Sequence, residues 1–223
     1  MPDAAPCAAT AREAPTLLDI EASGFGRGSY PIEVGFVLAG GESDCMLIRP
    51  APQWTHWDPA AERLHRISRA TLRSHGRTPA DVVAALNATL YGCTAYTDGW
   101  AQDYTWLAVL YDAVNRVPSF RIESLRALLS DDEALRWHRT KQEVADELAL
   151  ERHRASADAR LLQATFRRVR AQSKAGEKAA ASRDAARAPT VAQQRGGPAA
   201  PATPVSPSPL PAPSPSASAR AGP

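Results

Sequence analysis

Three apolar segments near the start of the chain are separated by two short glycine-rich turns, and this spacing constrains the fold more than any other feature. The segments span Thr16–Ala22, Tyr30–Ala39 and Asp44–Pro50; GFGRGS follows the first, and GG lies between the second and the third. Turns of this kind join antiparallel neighbours. The pattern therefore predicts a three-stranded antiparallel meander.

Downstream of the meander, short strand-like segments alternate with helical ones. Residues 92–97 and 119–124 have strand character. Apolar residues recur at helical spacing in 79–90, 101–115, 133–148 and 155–170, and shorter helices are predicted within 59–74 and at 125–129. A meander followed by strands that alternate with helices predicts an α/β fold with a mixed sheet.

Composition divides the chain into parts. From Ser173 the sequence becomes rich in Ala, Pro and Ser and loses its large apolar residues, so it cannot offset the entropy lost on ordering. We predict a flexible N-terminus over residues 1–14, one folded domain over 15–172 and a disordered tail over 173–223. The tail is basic and the rest of the chain slightly acidic, which argues against a general polyanion-binding surface.

Cysteine content and hydropathy bear on localisation. The three cysteines are scattered without zinc-binding spacing, a pattern typical of a reducing compartment. The N-terminal segment lacks the apolar run of a signal peptide, and no later segment approaches ~18 uninterrupted apolar residues. We therefore expect a cytoplasmic protein that does not associate with membranes.

The first predicted strand, LLDIEA, carries two acidic side chains on one face. Side chains alternate along a strand, so Asp19 and Glu21 point the same way as Leu17. Two like charges side by side on a strand with core character need an explanation beyond folding.

Two predicted helices repeat this anomaly. The apolar stripe that contains Trp106 and Leu110 extends back through Asp103, and the stripe that contains Leu162 and Phe166 extends back through Asp158. A carboxylate near a helix N-terminus gains ~0.3–1 kcal/mol from the helix dipole. That gain is smaller than the cost of burying an unpaired charge, so capping alone does not explain acids on core-facing stripes.

Three elements thus direct carboxylates toward one place. Converging carboxylates repel one another unless cations neutralise them, and oxygen ligands suit the hard ions Mg²⁺ and Mn²⁺. Two such ions stabilise both the attacking and the leaving oxygen of a phosphoryl displacement. The acids therefore indicate metal-assisted phosphoryl chemistry.

The order of these residues resembles the DEDDh 3′–5′ exonucleases, which include the proofreading epsilon subunit of DNA polymerase III, ribonuclease T and oligoribonuclease. The segments LLDIEASGF…YPIEVGFVL, LHRISRATL, AYTDGWAQDYTWL and HRASAD resemble successive parts of that family over residues 16–170. A lone Asp-x-Glu or His-x4-Asp is a weak signal, but all of these segments in this order are a strong one.

The resemblance implies a ribonuclease H-like fold with a five-stranded mixed sheet flanked by helices. It implies that Asp19, Glu21, Asp103 and Asp158 hold two Mg²⁺ or Mn²⁺ ions. His153 would be the general base that takes a proton from the attacking water, and a nucleoside 5′-monophosphate would leave the 3′ end of single-stranded RNA or DNA. Small stand-alone members are often homodimers, so the resemblance also implies a possible homodimer.

Two positions depart from the family pattern. The second motif usually has Asn five residues before its Asp and an aromatic residue immediately before it; here these are Asp98 and Gln102. An additional acid near the site would repel a phosphate or adjust a metal.

Other residues are candidates for holding the substrate. Phe25 takes the place of an apolar wedge in the family and is predicted to stack on the terminal base, although it could instead cover the sheet edge. The same match implies backbone contacts from Ala22 and Ser23. Trp57, with Trp54 and His56, would form a second stacking wall or a lid on the core. His65 is predicted to pack or to make a loop hydrogen bond.

Two other hypotheses compete with the exonuclease function. A non-catalytic nucleic-acid-binding or scaffold protein would keep the fold without the reaction, although it would have no reason to keep the whole set of acids and the histidine. Alternatively, the Pro-rich tail would recruit protein partners.

Overall fold

The computed structural model describes residues 14–149 and 153–187, and a five-stranded sheet forms the centre of this part of the chain. Its strands are β1 (Thr16–Ala22), β2 (Pro31–Val37), β3 (Ser43–Leu47), β4 (Thr94–Thr97) and β5 (Arg121–Ser124). Their spatial order is β3-β2-β1-β4-β5. The first three strands pair antiparallel, whereas β1–β4 and β4–β5 pair parallel. The predicted meander and mixed sheet are confirmed.

Six α-helices flank this sheet within the described residues. They are α1 (Pro59–His65), α2 (Arg69–His75), α3 (Pro79–Thr89), α4 (Trp100–Asp112), α5 (Asp131–Leu148) and α6 (Ala155–Arg187). A 3₁₀ turn covers Leu125–Leu128. The arrangement is the predicted α/β fold of the ribonuclease H-like class.

The alternation of side chains along β1 divides the core into two clusters. Leu18, Ile20 and Ala22 pack in the larger cluster together with apolar residues of α3 and α4. Leu17 packs on the opposite face with Leu162 and other residues of α6. Asp19 and Glu21 continue the Leu17 face toward the end of the strand. The register of β1 therefore places both acids beside the start of α6.

The start of α6 lies directly against β2, and Gly35 permits the approach. A Cβ at residue 35 would lie 2.2 Å from the backbone nitrogen of Ser156, which no side chain tolerates. Because α6 begins so close to the sheet, its first turn carries Asp158 to the strand that bears Asp19 and Glu21.

The predicted start of the disordered tail at residue 173 is wrong, because α6 continues to Arg187. The segment 173–187 lacks large apolar residues but is rich in alanine and charged residues of high helix propensity, so it extends a helix that the domain has already nucleated. The rest of the predicted tail, residues 188–223, lies outside the described residues. So does nearly all of the predicted flexible N-terminus, and Ala14, its last residue, is buried.

No helix in the described part of the chain is both long enough and apolar enough to cross a bilayer.

Candidate active site

One pocket of about 560 Å³ collects all four acids that the sequence singled out, and His153 lines it as well. β1 contributes Asp19 and Glu21 from its C-terminal half, and α4 and α6 contribute Asp103 and Asp158 from their first turns. The convergence that the sequence predicted is therefore present. The volume lies within the ~300–1,000 Å³ typical of ligand sites.

Asp103 is buried, and its carboxylate is held by neighbours on β4 and β1. The hydroxyl of Thr97 donates to Asp103 Oδ2 and itself accepts from the backbone N–H of Gly99 at 3.2 Å. The backbone of Ile20 also donates to the Asp103 carboxylate. Ile20 lies between Asp19 and Glu21, so these bonds align the acid of α4 with those of β1. The role of Thr97 was not predicted from the sequence.

The turn before α6 holds His153 beside Asp158. The backbone N–H of His153 donates to Asp158 Oδ2 at 2.8 Å, and His153 has a left-handed backbone with φ of 62°. A non-glycine residue in that region is uncommon and marks a position that its surroundings enforce. One ligand atom each from Glu21, His153 and Asp158 lies within 4.8 Å of the others, a spacing that a metal ion can bridge.

An ion pair with a buried carboxylate fixes this turn to the sheet. Glu33 on β2 is completely buried and accepts from Arg154 at 2.7 Å and from the backbone N–H of Ala155 at 2.8 Å. Glu33 was not predicted as a functional residue, although a lone acid within the apolar run YPIEVGFVL indicates a position of this kind. Glu33 and Arg154 therefore position the segment that carries His153 and Asp158.

The electrostatics of the pocket oppose ionisation of its acids. Burial is the main cause that raises the pKa of Asp19 well above its usual range, and the charges of Asp103 and Glu21 add to it. Burial, followed by the charge of Asp158, raises the pKa of Glu21 to about 7. Burial also raises the pKa of Asp103 to about 7, although the hydrogen bond from Thr97 opposes this. A divalent cation would relieve such repulsion, so the donor set and its charge fit the hard ions predicted from the sequence.

Phe25 lies at the mouth of the pocket and is 71% exposed. Its ring lies 5.7 Å from that of the buried Trp106, whose indole N–H donates to Ser29 Oγ at 3.0 Å. A large apolar ring at this exposure buries little of its own surface. Its position is compatible with the predicted stacking role and does not match a cover for the sheet edge.

The remaining predicted substrate contacts separate into two groups. Ala22 lines the pocket. Ser23, also predicted to contact the substrate strand through its backbone, does not: its N–H donates to Tyr30 at 2.9 Å and its carbonyl accepts from Asp58 at 2.8 Å. Trp57 does not line the pocket, because its indole donates to Glu62 at 2.6 Å and packs against the core. The geometry of Trp57 thus matches the lid on the core and not a stacking wall.

His65 is buried at the edge of the pocket and accepts from the backbone N–H of Ile67 at 3.1 Å, as predicted for a loop hydrogen bond. Burial lowers the pKa of its imidazole, so His65 is neutral near pH 7.

Asp98 and Gln102, the two departures from the family pattern, both line the pocket. Asp98 forms an ion pair with Lys141 of α5, with 2.5 Å between Nζ and Oδ2. This partner lies 43 residues away and was not predicted from the sequence.

Comparison with known proteins agrees with this fold. A scan of protein-family models finds no match, and a search of curated proteins finds no significant match. Among solved structures, the chain is similar to a zinc-bound complex of Escherichia coli exonuclease I with single-stranded DNA, at 15% identity and a TM-score of 0.52 over 71% of this chain and 41% of that chain.

A product-bound exonuclease I gives 15% identity and a TM-score of 0.52, over 69% of this chain and 42% of that one. Exonuclease I from Methylocaldum szegediense gives 13% identity and a TM-score of 0.53, over 68% of this chain and 39% of that one. The chain therefore spans about two fifths of the length of these proteins. At such identities the likeness shows a shared fold of the exonuclease I type.

Proposed function

We propose that this chain is a metal-dependent 3′–5′ exonuclease that hydrolyses phosphodiester bonds at single-stranded 3′ ends and releases nucleoside 5′-monophosphates. The observation that carries the proposal is the convergence of Asp19, Glu21, Asp103 and Asp158 on one pocket beside His153. The likeness to exonuclease I, one structure of which holds single-stranded DNA, supports it at the level of the fold.

The four acids would hold two Mg²⁺ or Mn²⁺ ions, which supply positive charge at the phosphate when they are bound. Glu21 and Asp158 lie close enough to share an ion. Asp103 is aligned with β1 through its bond to Ile20, which keeps the third element in register with the other two.

His153 would accept the proton of the attacking water. Imidazole has an unperturbed pKa of ~6.5, which suits a base near neutral pH. The bond from the His153 backbone to Asp158 keeps the side chain beside the acids. Phe25 would stack on the 3′-terminal base, and stacking contributes ~1–3 kcal/mol without sequence preference.

Digestion of matched, 5′-labelled RNA and DNA oligonucleotides with Mg²⁺, Mn²⁺ or a chelator tests the proposal. We expect a ladder of products shortened from the 3′ end, with mononucleotides as the released species and no products in the chelator. DNA is the first substrate to compare, because the similar structure holds it. Efficient internal cutting of a circular single strand would contradict an exonuclease, and binding of both strands without metal-dependent cutting would establish the non-catalytic alternative.

Phe25→Ala tests the stacking role separately, with Tyr91→Ala as a matched control because Tyr91 is similarly exposed but does not line the pocket. We expect KM for a single strand to rise by about tenfold in the Phe25 variant, which corresponds to ~1.4 kcal/mol. Equal KM values for both variants would remove Phe25 from the binding site.

A further inference from the structure

The ion pair between Lys141 and Asp98 lies in the wall of the candidate active site. The four acids proposed to bind metal do not by themselves explain why a lysine lies there. Both residues line the pocket that contains Asp19 and Asp103. The side chains are 26% and 33% exposed, so the pair is accessible from the pocket's solvent side. We propose that Lys141 binds a backbone phosphate of the single strand and that Asp98 positions it; this inference rests on the proposed function.

The charge balance of the pocket supports a cation at this place. Six acids line it: Asp19, Glu21, Asp58, Asp98, Asp103 and Asp158. Among the described lining residues, Lys141 carries the one permanent positive charge, because no arginine lines the pocket. A nucleic acid strand adds a negative charge at every nucleotide, and two divalent cations would not balance six acids and several phosphates together.

The fold directs Lys141 toward the pocket through the packing of α5. Trp137 lies one turn before Lys141 on the same side of the helix, and Ala134 lies one turn earlier; both pack against the smaller core cluster. Lys141 thus continues a packed stripe and extends past the core to Asp98. An ordinary solvent-facing lysine would lie on the opposite side, as Arg139 does at 87% exposure.

Asp98 has a defined function in this arrangement. It follows β4 directly, and its carboxylate holds the ammonium group at one side of the acid cluster. A flexible lysine loses rotamer entropy when it binds a phosphate, and prior fixation by Asp98 reduces that cost. The acid that replaces the usual Asn is therefore compensated by the lysine and does not present a free charge to the strand.

The test measures binding of a fluorescent single-stranded DNA oligonucleotide by anisotropy in a His153→Ala background, which slows hydrolysis. Single phosphates near the 3′ end are replaced one at a time by neutral methylphosphonates. We expect Lys141→Met to weaken binding about tenfold, the low end for a hydrogen bond to a charged group. The slope of log K against log salt should fall by about 0.7, the value for one phosphate of a single strand.

The methylphosphonate series locates the contact. One substitution should weaken binding by His153→Ala alone and have no additional effect when Lys141→Met is also present. Arg139→Met, on the same helix, is the matched control and should leave the affinity unchanged.

The double change Asp98→Asn/Lys141→Met removes both charges. It distinguishes a direct contact between Lys141 and the phosphate from an effect of the local charge balance. If Lys141 touches the phosphate, the double variant stays weak; recovery of full affinity would show that only the local charge balance matters and would overturn the proposal. A lowered melting temperature of Lys141→Met with unchanged affinity would also overturn it, because the pair would then be structural. Failure of the wild-type chain to release mononucleotides would instead contradict the proposed function.

Discussion

Two groups of acids in the same domain differ in how far the surrounding residues compensate their negative charge. Glu33 is completely buried and is neutralised by Arg154. Glu133, at the start of α5, is also buried, but its carboxylate accepts from the backbone N–H of Ser130 in a capping box and lies 3.4 Å from Arg170. Burial opposes ionisation of Glu133, yet these partners lower its pKa.

Asp19, Glu21 and Asp103 are compensated less completely. Asp103 accepts hydrogen bonds from Thr97 and the Ile20 backbone, and Arg154 lowers the pKa of Glu21, but neither effect outweighs burial. Asp19, Glu21 and Asp103 face one another, and burial with mutual repulsion raises the pKa of each. A fold that supplies arginine and backbone donors to its structural acids can evidently neutralise a buried carboxylate. In the pocket the donors of the described residues leave these pKa values raised, so a bound divalent cation would supply the positive charge that is lacking there.

The largest effect should come from removing an uncompensated acid. Asp19→Asn is expected to reduce metal-dependent release of mononucleotides by about 10³-fold, the upper range for the loss of one electrostatic group at a reacting centre. Asp112→Asn, an exposed acid at the other end of α4, is the control and should act like the wild type. Equal loss in both variants would show that the effect is not specific to the pocket.

Breaking the compensated pair should act first on stability. Glu33→Gln removes the carboxylate that pairs with Arg154 and weakens the bond to Ala155. The free energy of unfolding in urea should therefore fall by about 2–3 kcal/mol, less than for a fully buried pair because Arg154 is partly exposed. Glu143→Gln breaks an exposed pair with Arg139 and should cost less than ~1 kcal/mol. Similar losses in the two variants would mean that the ion pair of Glu33 with Arg154 does not stabilise the fold more than an exposed pair does.

The raised pKa values predict a pH dependence that metal removal should reveal. Because Glu21 and Asp103 titrate near 7 when folded and near 4 when unfolded, the folded chain binds more protons between these values. The unfolding free energy in a chelator should therefore fall as the pH rises from about 4 to about 7.

Asp103→Asn should flatten this slope and stabilise the metal-free chain above pH 7 by on the order of 2 kcal/mol. Added Mn²⁺ should raise the unfolding free energy of the wild type strongly and that of the variant only slightly. Melting temperatures across the pH range, with and without Mn²⁺, make the comparison, and a wild-type curve that rises to pH 7 in chelator would contradict it.

The smallest effect should come from the second compensated acid. Glu133→Gln keeps a side chain that can accept from Ser130, so the loss of stability should stay within ~1 kcal/mol. Nuclease activity should be unchanged because Glu133 does not line the pocket. A marked loss of activity would show that the two groups of acids are not independent.

Local patterns in the sequence predicted much of the fold and most of the acids. The bounds of β1 agree with the prediction, and Asp103 and Asp158 lie where their helical stripes placed them. Periodicity carries such information because it states which residues share a face. The continuation of α6 past residue 173 was missed because composition alone does not show that a preceding folded helix has already overcome nucleation.

The ion-pair partners of Glu33 and Asp98 were not predicted. Arg154 lies 121 residues from Glu33, and Lys141 lies 43 residues from Asp98, so each pair exists only after the sheet has assembled. A charged residue in an apolar run shows that a partner is needed but does not show which one. The same limit applies to Trp57, whose bond to Glu62 left it outside the pocket.

Calorimetric titration of Mn²⁺ into the wild-type chain and into Asp19→Asn at pH 8 tests most directly whether the acids of the pocket form a site for divalent cations. We expect two ions per wild-type chain and weakened or incomplete binding by the variant. Absence of Mn²⁺ binding by the wild type at millimolar concentration, or identical isotherms for both proteins, would contradict this account.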